Sequence, residues 1–215
     1  MLPFDLALFV RPMASTRLFF LLLLLVGLAP GAAPAQDIDS TETPLLDTSA
    51  PDTTVDPDVP FVRTPQRIVN RMLEIANVSG DDVVYDLGSG DGRIPLTAAQ
   101  TYGAQGVGIE IKPGLVQRAR RKAKMAGVAD RVEFRQQNLF EADFRDATVV
   151  TLYLLPDVNT KLRPMLFEQL EPGTRVVSHG FDMDEWEPDR VVQVDNTYLY
   201  FWTIPEEIPD ALRPE

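Results

Sequence analysis

Val83-Val84-Tyr85-Asp86-Leu87-Gly88-Ser89-Gly90-Asp91-Gly92-Arg93-Ile94 is the stretch that decides the fold. An apolar run leads into an acid, then into glycine at every second position, then into a helix expected over residues 94–102. Glycine lets the backbone turn sharply and lets a ligand lie against bare main chain. The turn also presents free N–H groups at a helix N-terminus, where a carboxylate or phosphate is favoured. In doubly wound α/β folds, the turn after the first parallel strand is where nucleotide-like cofactors bind.

The spacing is G-x-G-x-G, with Asp86 two residues before Gly88. The dinucleotide fingerprint is G-x-G-x-x-G and fixes no acid ahead of its first glycine. An acid at that point faces a cationic group, such as the α-ammonium of a methionine moiety. The next strand ends in Glu110, about 20 residues past the loop, where a ribose hydroxyl is gripped. Glu110 suits either cofactor, so it supports the site without choosing the ligand. The bland alternative is a strand–turn–helix connection with a surface acid. Turn, acid and β-α-β context together outweigh it.

Outward from the loop, the pattern is β-α repeated. Thr64 suits an N-cap and Pro65 a first helical residue. Ile68, Met72, Leu73, Ile75 and Ala76 then form a helical stripe. Strands are expected over 83–87, 107–110, 131–135, 148–152 and 175–179, and helices over 113–126 and 157–170. Two last strands, 190–194 and 198–204, flank Asp195-Asn196-Thr197, which reads as a hairpin turn. This order predicts an α/β fold with a mostly parallel sheet and a late antiparallel edge. Arg118, Arg120, Arg121, Lys122 and Lys124 on the 113–126 helix read as a solvated face, opposite Leu115, Val116, Ala119, Ala123 and Ala126.

Composition excludes several chemistries. The 215 residues include no cysteine, so disulfides, thiol nucleophiles and cysteine-ligated zinc are out. The single histidine rules out a His-rich metal site, and no metal is expected. The formal charge of −12 argues against a nucleic-acid-binding surface. Residues 1–35 read as a signal peptide or N-terminal anchor: Arg11 and Arg17 precede the apolar run Leu18 to Leu28, and Ala33-Pro34-Ala35 resembles a cleavage site. The positive flank directs the remainder out of the cytoplasm. Residues 36–59 carry seven acids and no base, the composition of a disordered linker. The domain proper is expected over 60–205, with a tail at 206–215; residues 61–215 hold 18 bases and 24 acids, so it is only mildly acidic.

Asp86-x-Gly88-x-Gly90-x-Gly92 resembles motif I of class I S-adenosylmethionine-dependent methyltransferases. The resemblance implies a Rossmann-like, seven-stranded sheet that closes with a C-terminal antiparallel hairpin, and S-adenosyl-L-methionine as cofactor. It narrows with Pro60-Phe61-Val62-Arg63-Thr64-Pro65, Thr151-Leu152-Tyr153-Leu154-Leu155-Pro156, Leu162-Arg163-Pro164 and Arg175-Val176-Val177-Ser178-His179-Gly180-Phe181. Together these are similar to the lysine methyltransferases of the mitochondrial ATP synthase c-subunit and adenine nucleotide translocase, with bacterial relatives. That similarity covers roughly residues 60–205. It implies methylation of a protein lysine, membrane-associated proteins included, and ties the 60–65 element to activity.

Carried onto this chain, the resemblance assigns cofactor contacts to Asp86, Gly88, Ser89, Gly90, Asp91, Gly92, Arg93, Glu110, Ile111, Asn138, Leu139 and Tyr153. Asn138 stands where the family has an acid for the adenine amino group, and its amide oxygen can accept that bond; a turn and N-cap role is the equal alternative. Tyr153 is placed beside the reactive methyl, as an acceptor-pocket aromatic or a rim residue. The Asn/Asp-Pro-Pro-aromatic signature of base and glutamine methyltransferases is absent there, so no nucleic-acid partner is expected. Asp157 and His179 are candidates for handling the acceptor's proton, against helix-capping and structural roles. Asp182, Asp184, Glu185 and Glu187 around Trp186 offer an acidic rim or a solvated loop. Two other readings stay open: a methyltransferase of a small or lipid-like acceptor, and an exported binding protein without turnover.

Overall fold

The structure, a computed structural model, describes residues 61–213. The signal or anchor segment 1–35 and the linker 36–59 lie outside the described residues.

Seven strands form one sheet in the order β3-β2-β1-β4-β5-β7-β6. These are β1 (Val83–Leu87), β2 (Gln105–Glu110), β3 (Val132–Gln136), β4 (Val149–Leu152), β5 (Arg175–His179), β6 (Arg190–Val194) and β7 (Thr197–Thr203). The first five pair in parallel, β7 runs antiparallel to β5, and β6 runs antiparallel to β7. The expected mostly parallel sheet with a terminal antiparallel pair is therefore the observed one. The chain order reverses between β1 and β4. At such a switch point the connections diverge and leave a crevice beyond the strand carboxyl ends.

Helices α1 (Gln66–Ile75), α2 (Arg93–Thr97), α3 (Pro113–Met125) and α4 (Pro156–Gln169) supply the outer layers. Ile68, Val69, Met72 and Leu73 of α1 pack with Val84, Val149, Val177 and Leu199 on one face of the sheet. Burial of each such side chain contributes roughly 1.5–3 kcal/mol, so this apolar stripe fixes α1 more firmly than its caps do. On the other face, Leu162, Leu166 and Phe167 of α4 meet Tyr85, Leu87, Leu152, Trp186 and Trp202. Val116, Ala119 and Ala123 of α3 pack on Leu96 and Phe134.

Three local features differ from the sequence expectation. Pro65, at φ −58° and ψ 145°, is the N-cap of α1, so the helix starts one residue later and Thr64 does not cap it. The helix expected over 94–102 changes pitch: α2 gives way to a π-helical turn, Ala98–Tyr102. Thr97 Oγ1 donates to the Arg93 carbonyl at 2.7 Å at that junction, competing with the regular ladder. The segment expected as a tail carries a short 3-10 turn, Asp210–Leu212, whose Leu212 is buried against the α4 face.

The basic face of α3 is also more than solvated. Lys122 Nζ lies 2.7 Å from Asp91, and Arg120 donates to the Phe134 carbonyl at 2.6 Å. Asp91 is 1% exposed and also takes a two-point contact from Arg93, at 2.9 and 2.8 Å. Arg93 and Lys122 hold its carboxyl well below the usual carboxylate range against the opposing pull of desolvation. A carboxylate with a lowered folded-state pKa stabilises the fold above its unfolded value and loses that contribution as pH falls through the folded one. Asp91→Ala should lower the melting temperature at pH 7 by about 5–10 °C, as expected for opening a buried ion pair in a domain this size. Thermal denaturation followed by circular dichroism checks this, and the deficit should shrink in strong acid.

Candidate active site

A cavity of about 260 Å³ opens at the carboxyl ends of β1, β2 and β4. Its floor is the loop between β1 and α2. Gly88 (φ 85°) and Gly90 (φ 55°) both adopt left-handed backbone, which a side chain would strain. Gly88 and Ser89 donate their N–H groups to the Ile109 carbonyl at 2.9 and 2.8 Å, tying the loop to β2. A Cβ on Gly90 would stand 2.1 Å from the Phe61 ring. The chain entering α1 therefore lies directly over the loop as a strap. Arg93 fastens it, donating to the Thr64 carbonyl at 2.6 Å. Phe61, Val62 and Thr64 all line the cavity.

Two buried acids frame this floor. Glu110 accepts from the Gly90 N–H at 2.8 Å and the Lys112 N–H at 2.9 Å, one on each carboxylate oxygen. Each oxygen retains acceptor capacity, enough for a vicinal diol. Asp86 accepts from Thr151 Oγ1 at 2.8 Å. Burial first, then the nearby charges of Glu110 and Asp91, push its carboxyl up to about 7 against that hydrogen bond. Asp86 thus lacks the direct cationic partners that Asp91 has. Ser89 Oγ is buried with no hydrogen-bond partner in the described residues. The N–H groups of Gly88, Ser89, Gly90 and Gly92, expected to be free, are all donated within the protein, which fixes the loop and leaves them no part in holding an anion. An orphaned hydroxyl and two buried acids fit a ligand with an ammonium and a ribose.

Of the assigned cofactor residues, Asp86, Gly88, Ser89, Asp91, Arg93, Glu110, Ile111, Asn138, Leu139 and Tyr153 line the cavity. Gly90 and Gly92 shape its floor without lining it. Asp91 and Arg93 are committed to each other, so they brace the loop. The Asn138 amide oxygen accepts from the Phe140 N–H at 3.1 Å, as cap of the turn Leu139–Glu141. That is the capping role, and it leaves one lone pair of the oxygen for a ligand.

The candidate acceptor-side residues separate. Tyr153 lines the cavity and packs on His179, with ring centroids 4.0 Å apart. His179 is buried at the end of β5, and desolvation pushes its pKa down to about 4. It is a neutral ring at physiological pH, too weak a base to hold a lysine's proton. Asp157 stands apart from these two. It is exposed in the first turn of α4, outside the cavity lining, because Pro156 starts the helix beyond Leu155 and turns the acid toward solvent. The acidic-rim reading fails at its aromatic: Trp186 is turned inward between Phe167 and Trp202, leaving Asp182, Asp184, Glu185 and Glu187 solvated.

Comparison with known proteins identifies methyltransferase relatives of this chain. Residues 86–190 match the family model described as the ANTKMT methyltransferase domain. A protein-lysine N-methyltransferase of Saccharolobus islandicus is 46% identical over 155 residues, covering 70% of this chain and 96% of that protein. The adenine nucleotide translocase lysine N-methyltransferase of Mus musculus is 37% identical over 134 residues, and the match spans 62% of this chain and 58% of the mouse protein. A crystal structure described as an RNA methyltransferase from Salinibacter ruber in complex with S-adenosyl-L-homocysteine is 66% identical, with a TM-score of 0.70. It covers 71% of this chain and all of that one.

Asp86 gives a prediction with two signs. An acid whose folded pKa is raised stabilises the fold below its ordinary value of 3.8, and that contribution is lost as pH rises through about 7. Asp86→Asn should therefore raise the melting temperature of the ligand-free protein by a few degrees at pH 8 and by much less at pH 5. The same variant should bind S-adenosylhomocysteine at least about tenfold more weakly at pH 8, having lost the charge that faces the ammonium. Calorimetric titration and thermal melts at the two pH values check both.

Proposed function

The chain belongs to the ANTKMT methyltransferase family, and on that premise we propose that it methylates the side-chain amine of protein lysines, with S-adenosyl-L-methionine as methyl donor. The two unlike kinds of wall around the cavity carry this reading. One kind is main chain, Ser89 and the buried acids Asp86 and Glu110, matched to a charged, hydroxylated cofactor. The other is apolar and aromatic: Phe61 over Gly90, Leu154 over Gly88, and Val62 and Tyr153.

The sulfonium cofactor, when bound, supplies an already activated methyl group. The protein's part is to hold the acceptor in line, roughly 3 Å from the carbon, and to exclude water. Asp86 and Glu110 orient the charged and ribose ends, and the strap carrying Phe61 closes over the loop. A lysine must arrive as the neutral amine, because only that form has a lone pair. Apolar walls disfavour the ammonium and so ease its loss of a proton to solvent. No base is required in the cavity for that step, consistent with the exposed position of Asp157.

The proposal extends to membrane-associated protein acceptors. Phe61, Val62, Phe140 and Leu155 are large apolar residues left exposed, and the first three line the cavity. Such a rim suits an acceptor whose lysine is flanked by apolar surface. We also propose that residues 1–35 send or anchor the domain to the extracytoplasmic side, which sequencing of the mature N-terminus from fractionated cells would check.

The Salinibacter protein's description favours a second reading, in which RNA is the acceptor. A polyanion needs a cationic surface, and residues 61–215 hold more acids than bases. Incubation of the full chain with radiolabelled S-adenosylmethionine and separate soluble-protein, membrane-protein, lipid and RNA fractions decides. The expected label is protease-sensitive, resides on lysine and is strongest in membrane protein. Ribonuclease-sensitive label with none on lysine would refute the proposal.

A further inference from the structure

The sheet register lines up groups that the sequence keeps far apart. Ile109, Leu87, Leu152 and Ser178 are successive partners across β2, β1, β4 and β5. One residue further along, the row reads Glu110, Gly88, Tyr153, His179. Side chains alternate faces along a strand, so this row shares the face of Asp86 and Thr151, which hydrogen-bond two residues earlier. Strands lie about 4.8 Å apart, so Tyr153 stands roughly 10 Å from the Glu110 position and His179 one strand beyond. Between them lies Gly88, with the Leu154 side chain packed over it. A cofactor gripped at Glu110 along this edge of the sheet points toward Tyr153 and His179.

His179 itself calls for an explanation. Its Nδ1 is buried and has no hydrogen-bond partner among the described residues. An unpaired buried polar atom costs about 1–3 kcal/mol, and a phenyl ring would fill the same space without that cost. The ring is neutral, so one of its nitrogens carries a lone pair able to accept a hydrogen bond. Tyr153, packed on it at 4.0 Å, lines the cavity, whereas His179 does not. The Tyr153 ring also lies beside Gly180, where a Cβ would meet it at 3.5 Å, an ordinary contact.

We propose that the Tyr153–His179 pair is the acceptor end of the site, His179 Nδ1 taking a hydrogen bond from the incoming lysine amine once the tyrosine ring swings aside. This rests on the lysine reading above. The bond uses one N–H and orients the amine's single lone pair, without adding a positive charge near the cationic cofactor. The tyrosine ring face then lies against the alkylammonium product.

His179→Phe keeps the stacked ring and removes the nitrogen, and His179→Asn restores an acceptor near Nδ1. Both variants should bind S-adenosylhomocysteine within about twofold of wild type, because the cofactor lies toward Glu110. His179→Phe should lose about tenfold or more in kcat/KM for the protein acceptor, and His179→Asn should recover most of it. Wild-type kinetics in His179→Phe would overturn the proposal, and so would a matching loss of S-adenosylhomocysteine affinity. Should the variants fold poorly, the wild-type protein suffices, because His179 is its only histidine. With ¹⁵N-labelled histidine and saturating S-adenosylhomocysteine, adding a lysine peptide that the enzyme methylates should move the Nδ1 resonance. The same peptide with norleucine for lysine should not move it, and a stationary Nδ1 with the lysine peptide sinks the idea. Wild-type enzyme that labels RNA but no lysine would instead bring down the acceptor reading itself.

Discussion

Three carboxylates, Asp86, Asp91 and Glu110, are held out of water around one glycine-rich loop, and the rest of the site follows from how each is compensated. Burying a lone charge is costly, so each acid requires a partner or a proton. Asp91 has Arg93 and Lys122. Glu110 has the main-chain N–H groups of Gly90 and Lys112. Asp86 has only the Thr151 hydroxyl, and against it burial pushes the carboxyl up to about 7. The first two arrangements are complete without a ligand and make the loop rigid. The third is incomplete, which marks where a cationic group belongs.

The compensation of Asp91 also organises the mouth. Arg93 reaches Asp91 with one part of its guanidinium and the Thr64 carbonyl with another, so one side chain joins loop and strap. Phe61 consequently rests on Gly90, at a distance that only glycine permits. The strap becomes a wall of the cavity, and an apolar one. A charged loop braced by ion pairs thereby carries an apolar wall directly over it.

Much of this was legible in the residues. Val83–Leu87 and Arg175–His179 were readable to the residue, because apolar β-branched runs bounded by turn signals have few other uses. The loop announced itself by glycine spacing and by Asp86. What stayed hidden was long-range pairing. Lys122 looked like one more solvated base, since helical periodicity shows which face a residue occupies but not what packs there; its partner Asp91 is 31 residues away. The Asn138 alternatives could not be separated until the turn Leu139–Glu141 was seen to need a cap. The two roles open to Asp157 are likewise separated only by long-range placement: Pro156 begins α4, and the acid stands exposed in its first turn. Tyr153 and His179, 26 residues apart in sequence, meet only through the parallel pairing of β4 with β5.

On the proposed lysine reading, that pairing bears on how methyl transfer proceeds without a strong base in the cavity. Each step across the sheet from β2 to β5 moves from a carboxyl group toward uncharged ones: Glu110, then Gly88 beneath the Leu154 side chain, then a tyrosine ring, then an imidazole that burial keeps unprotonated. The gradient serves both reactants. The cofactor's polar end gains hydrogen bonds that persist throughout the reaction, while the acceptor meets surroundings in which its charged form is the less favoured one. A strong base beside the acceptor would keep a second ion in the apolar end and need compensation of its own, as Asp91 does. Discharging the proton to solvent before the amine enters avoids that requirement, and it leaves positioning as the acceptor end's main contribution to the rate.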